Sequence, residues 1–213
     1  MRRIEPLTPA DTTRSEAFGQ SHAMSSADRL GIWLSGRRVR KEVGDFAAKA
    51  IGDFGCGYQA KLTRSVLDEV ASATVIDVAL AEDLKANPKV RAIEGKLPDA
   101  LSEIEDSSLD AILCVSVLEH LWHPDAALRE FHRILAPGGV CVVNVPSWRG
   151  KRFLELSACR LGLSPREEMD DHKRYFDPRD LWPLLVQAGF LPHGIRCYRY
   201  KFGLNTFASC RNS

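Results

Sequence analysis

Residues 53–60 read DFGCGYQA: an acid, two glycines one residue apart, then a bulky Tyr58-Gln59 pair. The run follows a short apolar stretch, Ala50–Asp53, and precedes Leu62, Val66, Leu67 and Val70, which have helical spacing. A strand that turns through glycines straight into a helix leaves bare backbone beside a helix N-terminus, where a ligand can approach closely. A second acid, Asp77, closes the next apolar run roughly 20 residues on, where a carboxylate can accept both hydroxyls of a ribose.

As a bare pattern, Gly55-x-Gly57-x-x-Ala60 fits the dinucleotide fingerprint. A nicotinamide dinucleotide, another adenosine-containing ligand and a plain strand-to-helix turn therefore all stay open. Asp53 sways the choice. Two places before the first glycine that pattern is normally apolar strand, and a carboxylate there repels a pyrophosphate. It suits a ligand with an amino group and a sulfonium centre.

Working outward, short apolar runs alternate with helical patterns. Strands are expected at Ala50–Asp53, Thr74–Val78, Val90–Glu94, Asp110–Ser116 and Val140–Val145. Helices are expected from a Ser25/Asp28 capping box to about Ala48, over Leu62–Val70, near Leu80–Lys85 and over Ala126–Leu135. Such alternation predicts a parallel sheet with helices on both faces. A further helix through Leu181, Leu184 and Leu185 ends at Gly189, and the tail offers two strands joined near Gly203, an antiparallel hairpin at the sheet edge. Residues 1–25 read as a loose polar arm and 26–213 as one domain. Residues 146–178 are too long for a mere connection and read as a lid.

The chain's 213 residues fit one domain, and a net charge of +1 gives no reason to expect nucleic acid. Between 149 and 179, eight Lys/Arg stand against six Asp/Glu, so no anionic substrate is singled out. No apolar run approaches the ~20 residues needed to insert in a membrane, and MRRIEPLTPADTTRSE has no apolar stretch for a secretory signal. The six cysteines form no C-x-x-C pair and none sits at zinc-ligand spacing to a histidine, which predicts no metal, no disulfide and a cytoplasmic location.

D-F-G-C-G resembles the first motif of class I S-adenosylmethionine (SAM)-dependent methyltransferases. SLDAILCVSVLEHLWHPDAALREFHRILAPGGVCVVNVP, residues 108–146, resembles their fourth-to-fifth-strand segment, and DDHKRYFDPRDLWPLLVQAGF, residues 170–190, is similar to their late segment. Within the family the chain looks most like the small-molecule group that includes quinone-biosynthesis enzymes. The resemblance implies a Rossmann-like, doubly wound α/β fold with a seven-stranded, mostly parallel sheet whose last strand is antiparallel. It implies SAM as cofactor, a small-molecule methyl acceptor and no nucleic-acid partner.

Carried over, it implies that Asp53, Gly55, Cys56, Gly57 and Gln59 surround the methionine part of SAM. It sets Asp77, with Val78 beside it, on the ribose, Leu97 near the adenine and Ser116 near the methyl-bearing end. Two positions depart: Gln59 replaces the usual third glycine, and Lys96 replaces an acid that accepts from the adenine amino group, which a lysine cannot do. His120, His172 and Tyr175 are the candidate catalytic residues, with Glu119 beside them, because oxygen nucleophiles usually need a base. Trp122 and Trp148 flank the expected mouth. The competing functions are a nicotinamide-dependent oxidoreductase and a non-catalytic SAM-binding protein.

Overall fold

The computed structural model describes residues 16–20, 26–153 and 172–213. A helix, α1 (Ser26–Val43), leads into β1 (Ala50–Phe54), α2 (Lys61–Arg64), β2 (Ser72–Asp77), α3 (Glu82–Lys85), β3 (Val90–Glu94) and β4 (Leu109–Val115). Then follow α4 (Pro124–Ile134), β5 (Leu135–Pro146), α5 (Pro178–Gln187), β6 (Ile195–Tyr200) and β7 (Asn205–Arg211). The strands form one sheet in the order β3-β2-β1-β4-β5-β7-β6. β1 to β5 pair in parallel, and β7 runs antiparallel between β5 and β6. The doubly wound, seven-stranded expectation therefore holds, with β3 and β6 as the edges.

Alternation along the central strands decides which layer each residue meets. Ile112 and Cys114 of β4 and Cys141, Val143 and Val145 of β5 face one core, where Phe131 of α4 and Leu181 and Leu185 of α5 lie. Ala111, Leu113, Val140 and Val142 face the opposite core, with Val39 and Val43 of α1 and Phe207 of β7. Both faces are covered, which is why these strands read as continuous apolar runs.

Three boundaries differ from expectation by five residues or more, the others by two at most. The helix expected over Leu62–Val70 stops as α-helix at Arg64, and tighter turns such as Val66 N–H to Thr63 O (3.0 Å) carry the apolar residues onward. β5 begins five residues before Val140, since the A-P-G-G stretch is absorbed as an irregularity opposite Leu109–Ala111. The first helix ends at Val43, not near Ala48; Gly44 has φ +76°. Its expected capping box involves Ser25, which lies outside the described residues.

β1 and β4 are neighbours, but the chain leaves β1 toward β2 and β3 and only then returns to β4. Between their C-terminal ends the connections diverge, the place where open α/β sheets bind ligands. At the end of β5 the buried Ser147 ties the other side of this rim together. Its hydroxyl donates to Gly203 O (2.6 Å) and accepts from Gly150 N–H (3.0 Å). Ser147→Ala leaves both backbone groups without that partner, so urea unfolding should show a loss of about 1–3 kcal/mol. An unchanged midpoint would mean that water replaces the hydroxyl.

Candidate functional site

The quoted loop is shaped by contact on three sides. Gly55 (φ +69°) and Gly57 (φ +72°) both turn left-handed. A Cβ on Gly55 would stand 2.4 Å from Val117 Cγ2, and one on Gly57 would stand 3.1 Å from Phe18 O. From the sheet, Gly55 N–H donates to Ile76 O (2.7 Å). From above, residues 16–20 pack onto the loop, with Tyr58 N–H donating to Phe18 O (3.0 Å) and Ala17 buried.

Asp77 does more than wait for a ribose. Its Oδ2 accepts from Gly57 N–H (2.7 Å) and its Oδ1 from Val78 N–H (2.8 Å), so it fixes the loop from β2. An ionised carboxylate has about four acceptor sites, so loop-holding and ribose recognition are compatible.

Asp53 is 3 % exposed at the C-terminal end of β1, and Thr63 Oγ1 donates to its Oδ2 (2.7 Å). Burial pushes its carboxyl up to about 6 despite the Thr63 hydrogen bonds, and the nearby Asp77 adds to the rise. Thr63 escaped the sequence reading. Its only signal was a hydroxyl residue between the apolar positions of the second helical pattern. Two acids around one glycine loop offer a negative field that fits a sulfonium and an ammonium group, which tests the donor set against SAM favourably.

The remaining expected cofactor residues scatter in exposure. Cys56 is half-buried, donates to Gly57 O (3.4 Å), and its thiol is pushed far up by burial. Gln59 is exposed, and its carbonyl accepts from Arg64 Nε (2.8 Å). Leu97 is half-buried against the core and Lys96 is exposed. Ser116 leaves β4 with φ +58° and is exposed at the strand mouth. A cavity of about 490 Å³ between α1 and α2, lined by Arg29, Trp33, Arg37 and Lys61, contains none of these residues.

The catalytic candidates, by contrast, meet. His120 and His172 lie edge to face with ring centroids 4.8 Å apart, and His172 Nδ1 is 3.1 Å from Tyr175 Oη. The backbone of the late segment docks here, as Lys173 N–H donates to Glu119 O (2.8 Å). Glu119 is buried, and its carboxylate and both imidazoles have donor atoms within 4.8 Å of one another. Such a set can move a proton or hold a divalent cation. Trp148 stacks obliquely on Tyr175 (5.6 Å) and donates to Asp180 Oδ2 (3.2 Å), while Trp122 is exposed. The expected lid is described only at its ends; residues 154–171, with Cys159, lie outside the described residues.

Comparison with known proteins agrees with this geometry. Residues 52–143, from β1 through most of β5, match the family described as "Methyltransferase domain". Over these residues the chain is similar to SAM-dependent methyltransferases. A ubiquinone biosynthesis O-methyltransferase of Psychrobacter cryohalolentis is 32 % identical over 168 residues, covering 73 % of this chain and 64 % of that protein. A probable SAM-dependent methyltransferase of Mycobacterium tuberculosis is 27 % identical over 149 residues, or 68 % and 49 % of the two chains. The chain thus spans between about half and two thirds of the length of these relatives. Among solved structures, a methyltransferase in complex with the Trm112 activator of Haloferax volcanii shares the fold. Its TM-score is 0.67 at 13 % identity, over 87 % of this chain and 92 % of that one.

The buried acid gives a pH prediction. Asp53 holds its proton more tightly folded than unfolded, so its contribution favours folding below 3.8 and is lost as pH rises through about 6. Asp53→Asn should therefore be more stable than wild type at pH 7.5, by about 2–3 kcal/mol in urea unfolding, with the gap closing near pH 4. The same variant should bind SAM more weakly in calorimetry. A variant less stable at both pH values would show that the carboxylate is ionised and well satisfied.

Proposed function

We propose that this domain transfers a methyl group from SAM to an oxygen atom of a small molecule. The observation that carries the reading is the meeting of His120 with His172 and Tyr175, which lie more than 50 residues further along the chain, beside the mouth of β4. SAM supplies an electrophilic methyl carbon on a sulfonium, with S-adenosylhomocysteine (SAH) as the leaving product.

The chain's residues bind, orient and move a proton. Asp53, Gly55, Cys56, Gly57 and Gln59 hold the methionine end, Asp77 and Val78 the ribose, Leu97 the adenine side and Ser116 the methyl end. The acceptor oxygen forms its bond to the methyl carbon as the carbon–sulfur bond breaks, and the acceptor's proton passes to the His172 imidazole. Tyr175 and His120 keep that ring turned toward the mouth. The O-methyltransferase name of the Psychrobacter relative supports an oxygen acceptor. A cytoplasmic location belongs to this reading and rests on the five free cysteines among the described residues. A nicotinamide cofactor is disfavoured by Asp53, whose carboxylate at the strand mouth repels a pyrophosphate.

SAH should bind at least about a hundredfold more tightly than NAD(H), roughly 2.7 kcal/mol, in titration calorimetry. With a catechol or phenol panel as acceptors, His172→Ala should lower kcat while SAH affinity stays within about 0.5 kcal/mol. Turnover should survive EDTA. Loss with EDTA and recovery with added metal would reassign Glu119, His120 and His172 to a cation, and SAH binding without turnover on any acceptor would favour a non-catalytic protein.

A further inference from the structure

We infer that the rim built from residues 148–153 and the Tyr200–Leu204 hairpin tip docks on an anionic phospholipid surface, delivering a lipid-borne acceptor to the His172 cluster. The delivery step rests on the functional reading above; the docking does not.

Two segments almost 50 residues apart are locked side by side. Besides its hydroxyl contacts, Ser147 donates its N–H to Leu204 O (2.9 Å). The fit is close enough that a Cβ on Gly150 would stand 2.2 Å from Leu204 O, and one on Gly203 would stand 3.3 Å from Arg149 Nη1. The first segment, WRGKRF, carries three cations and two aromatics with no acid, within a chain whose net charge is only +1. Trp148 and Phe153 are about half exposed.

The hairpin tip adds a side chain that the fold does not need. Lys201, Phe202 and Gly203 have φ of +48°, +59° and +81°, three left-handed residues in succession. The Lys201 ammonium anchors the strained tip by donating to Gly31 O and Ser35 Oγ, both at 2.9 Å. Phe202 is nevertheless 96 % exposed. Asparagine or glycine would fit that backbone with less strain, and an exposed phenyl ring gains nothing from water.

An aromatic finger beside flexible arginine and lysine side chains matches the headgroup zone of an anionic bilayer. Rings settle at the boundary while cations meet phosphates. The rim is also continuous with the site: Arg149 adjoins Trp148, Trp148 contacts Tyr175, and Tyr175 contacts His172. No described helix is long and apolar enough to cross a membrane, so docking would be shallow.

The test is flotation of the whole chain with vesicles of phosphatidylcholine alone or mixed with phosphatidylglycerol. Calorimetry with SAH and sedimentation velocity are run on the same samples. Wild type should float with the anionic vesicles, stay behind with neutral ones, and be released at 1 M salt. Phe202→Asp and the double variant Arg149→Glu/Arg152→Glu should each cut partition by about tenfold or more, and Phe202→Trp should keep it. SAH affinity should not change in any of them. Wild type that stays in solution, or Phe202→Asp that floats like wild type, overturns the proposal. So does a concentration-dependent dimer that Phe202→Asp abolishes, which would assign the tip to a second copy. Docking without SAH binding would leave the surface standing and remove the methyltransferase reading, and the reverse result would do the opposite.

Discussion

The hydrogen bonds from Gly57 and Val78 to the Asp77 carboxylate hold one strand end to its neighbour's loop, and the ligand-binding end of the sheet is organised around them. With Asp77 pulling from β2, the chain after β1 has to turn left-handed twice, and only glycine does so at low cost against Val117 and Phe18. That turn aims the start of α2 so that Thr63 reaches back to Asp53. One loop-to-helix stretch thus carries both contacts, Gly57 N–H to Asp77 and the Thr63 hydroxyl to Asp53.

The His120, His172 and Tyr175 cluster is held differently. It depends on backbone docking of the 172–176 segment: Lys173 N–H to Glu119 O and Phe176 N–H to Pro146 O (3.0 Å). These bonds join the ends of β4 and β5 to a stretch that has no regular secondary structure of its own. Main-chain contacts thus bring the two histidines together, and the His172 ring also meets Tyr175 Oη.

The central strands and the glycine turn were legible because burial on both faces writes a continuous apolar run, and a left-handed turn writes glycine. The short α2 was not: Leu62, Val66 and Val70 are spaced as a helix, yet tight turns bury Val66 and Val70 without continuing it. Periodicity records which side chains point inward, not which carbonyl each amide chooses. The second job of Asp77 was equally hidden, since an acid at a strand end reads the same whether it faces a sugar or its own loop. His172 was legible as a candidate base from its place between the expected lid and the following helix; its proximity to His120 is a product of tertiary docking, for which local pattern carries no signal.

The edge strands carry a different lesson. β3 and β6 each end the sheet with a row of backbone groups that another strand could pair with. β3 displays Arg91 and Glu94 to solvent, and β6 displays Arg196 and Arg199, each loosely facing an acid at about 4 Å. An incoming strand would have to strip water from those charges before making its first ladder bond. Among the described residues, solvated charges thus guard both edges of the seven-stranded sheet against open-ended stacking.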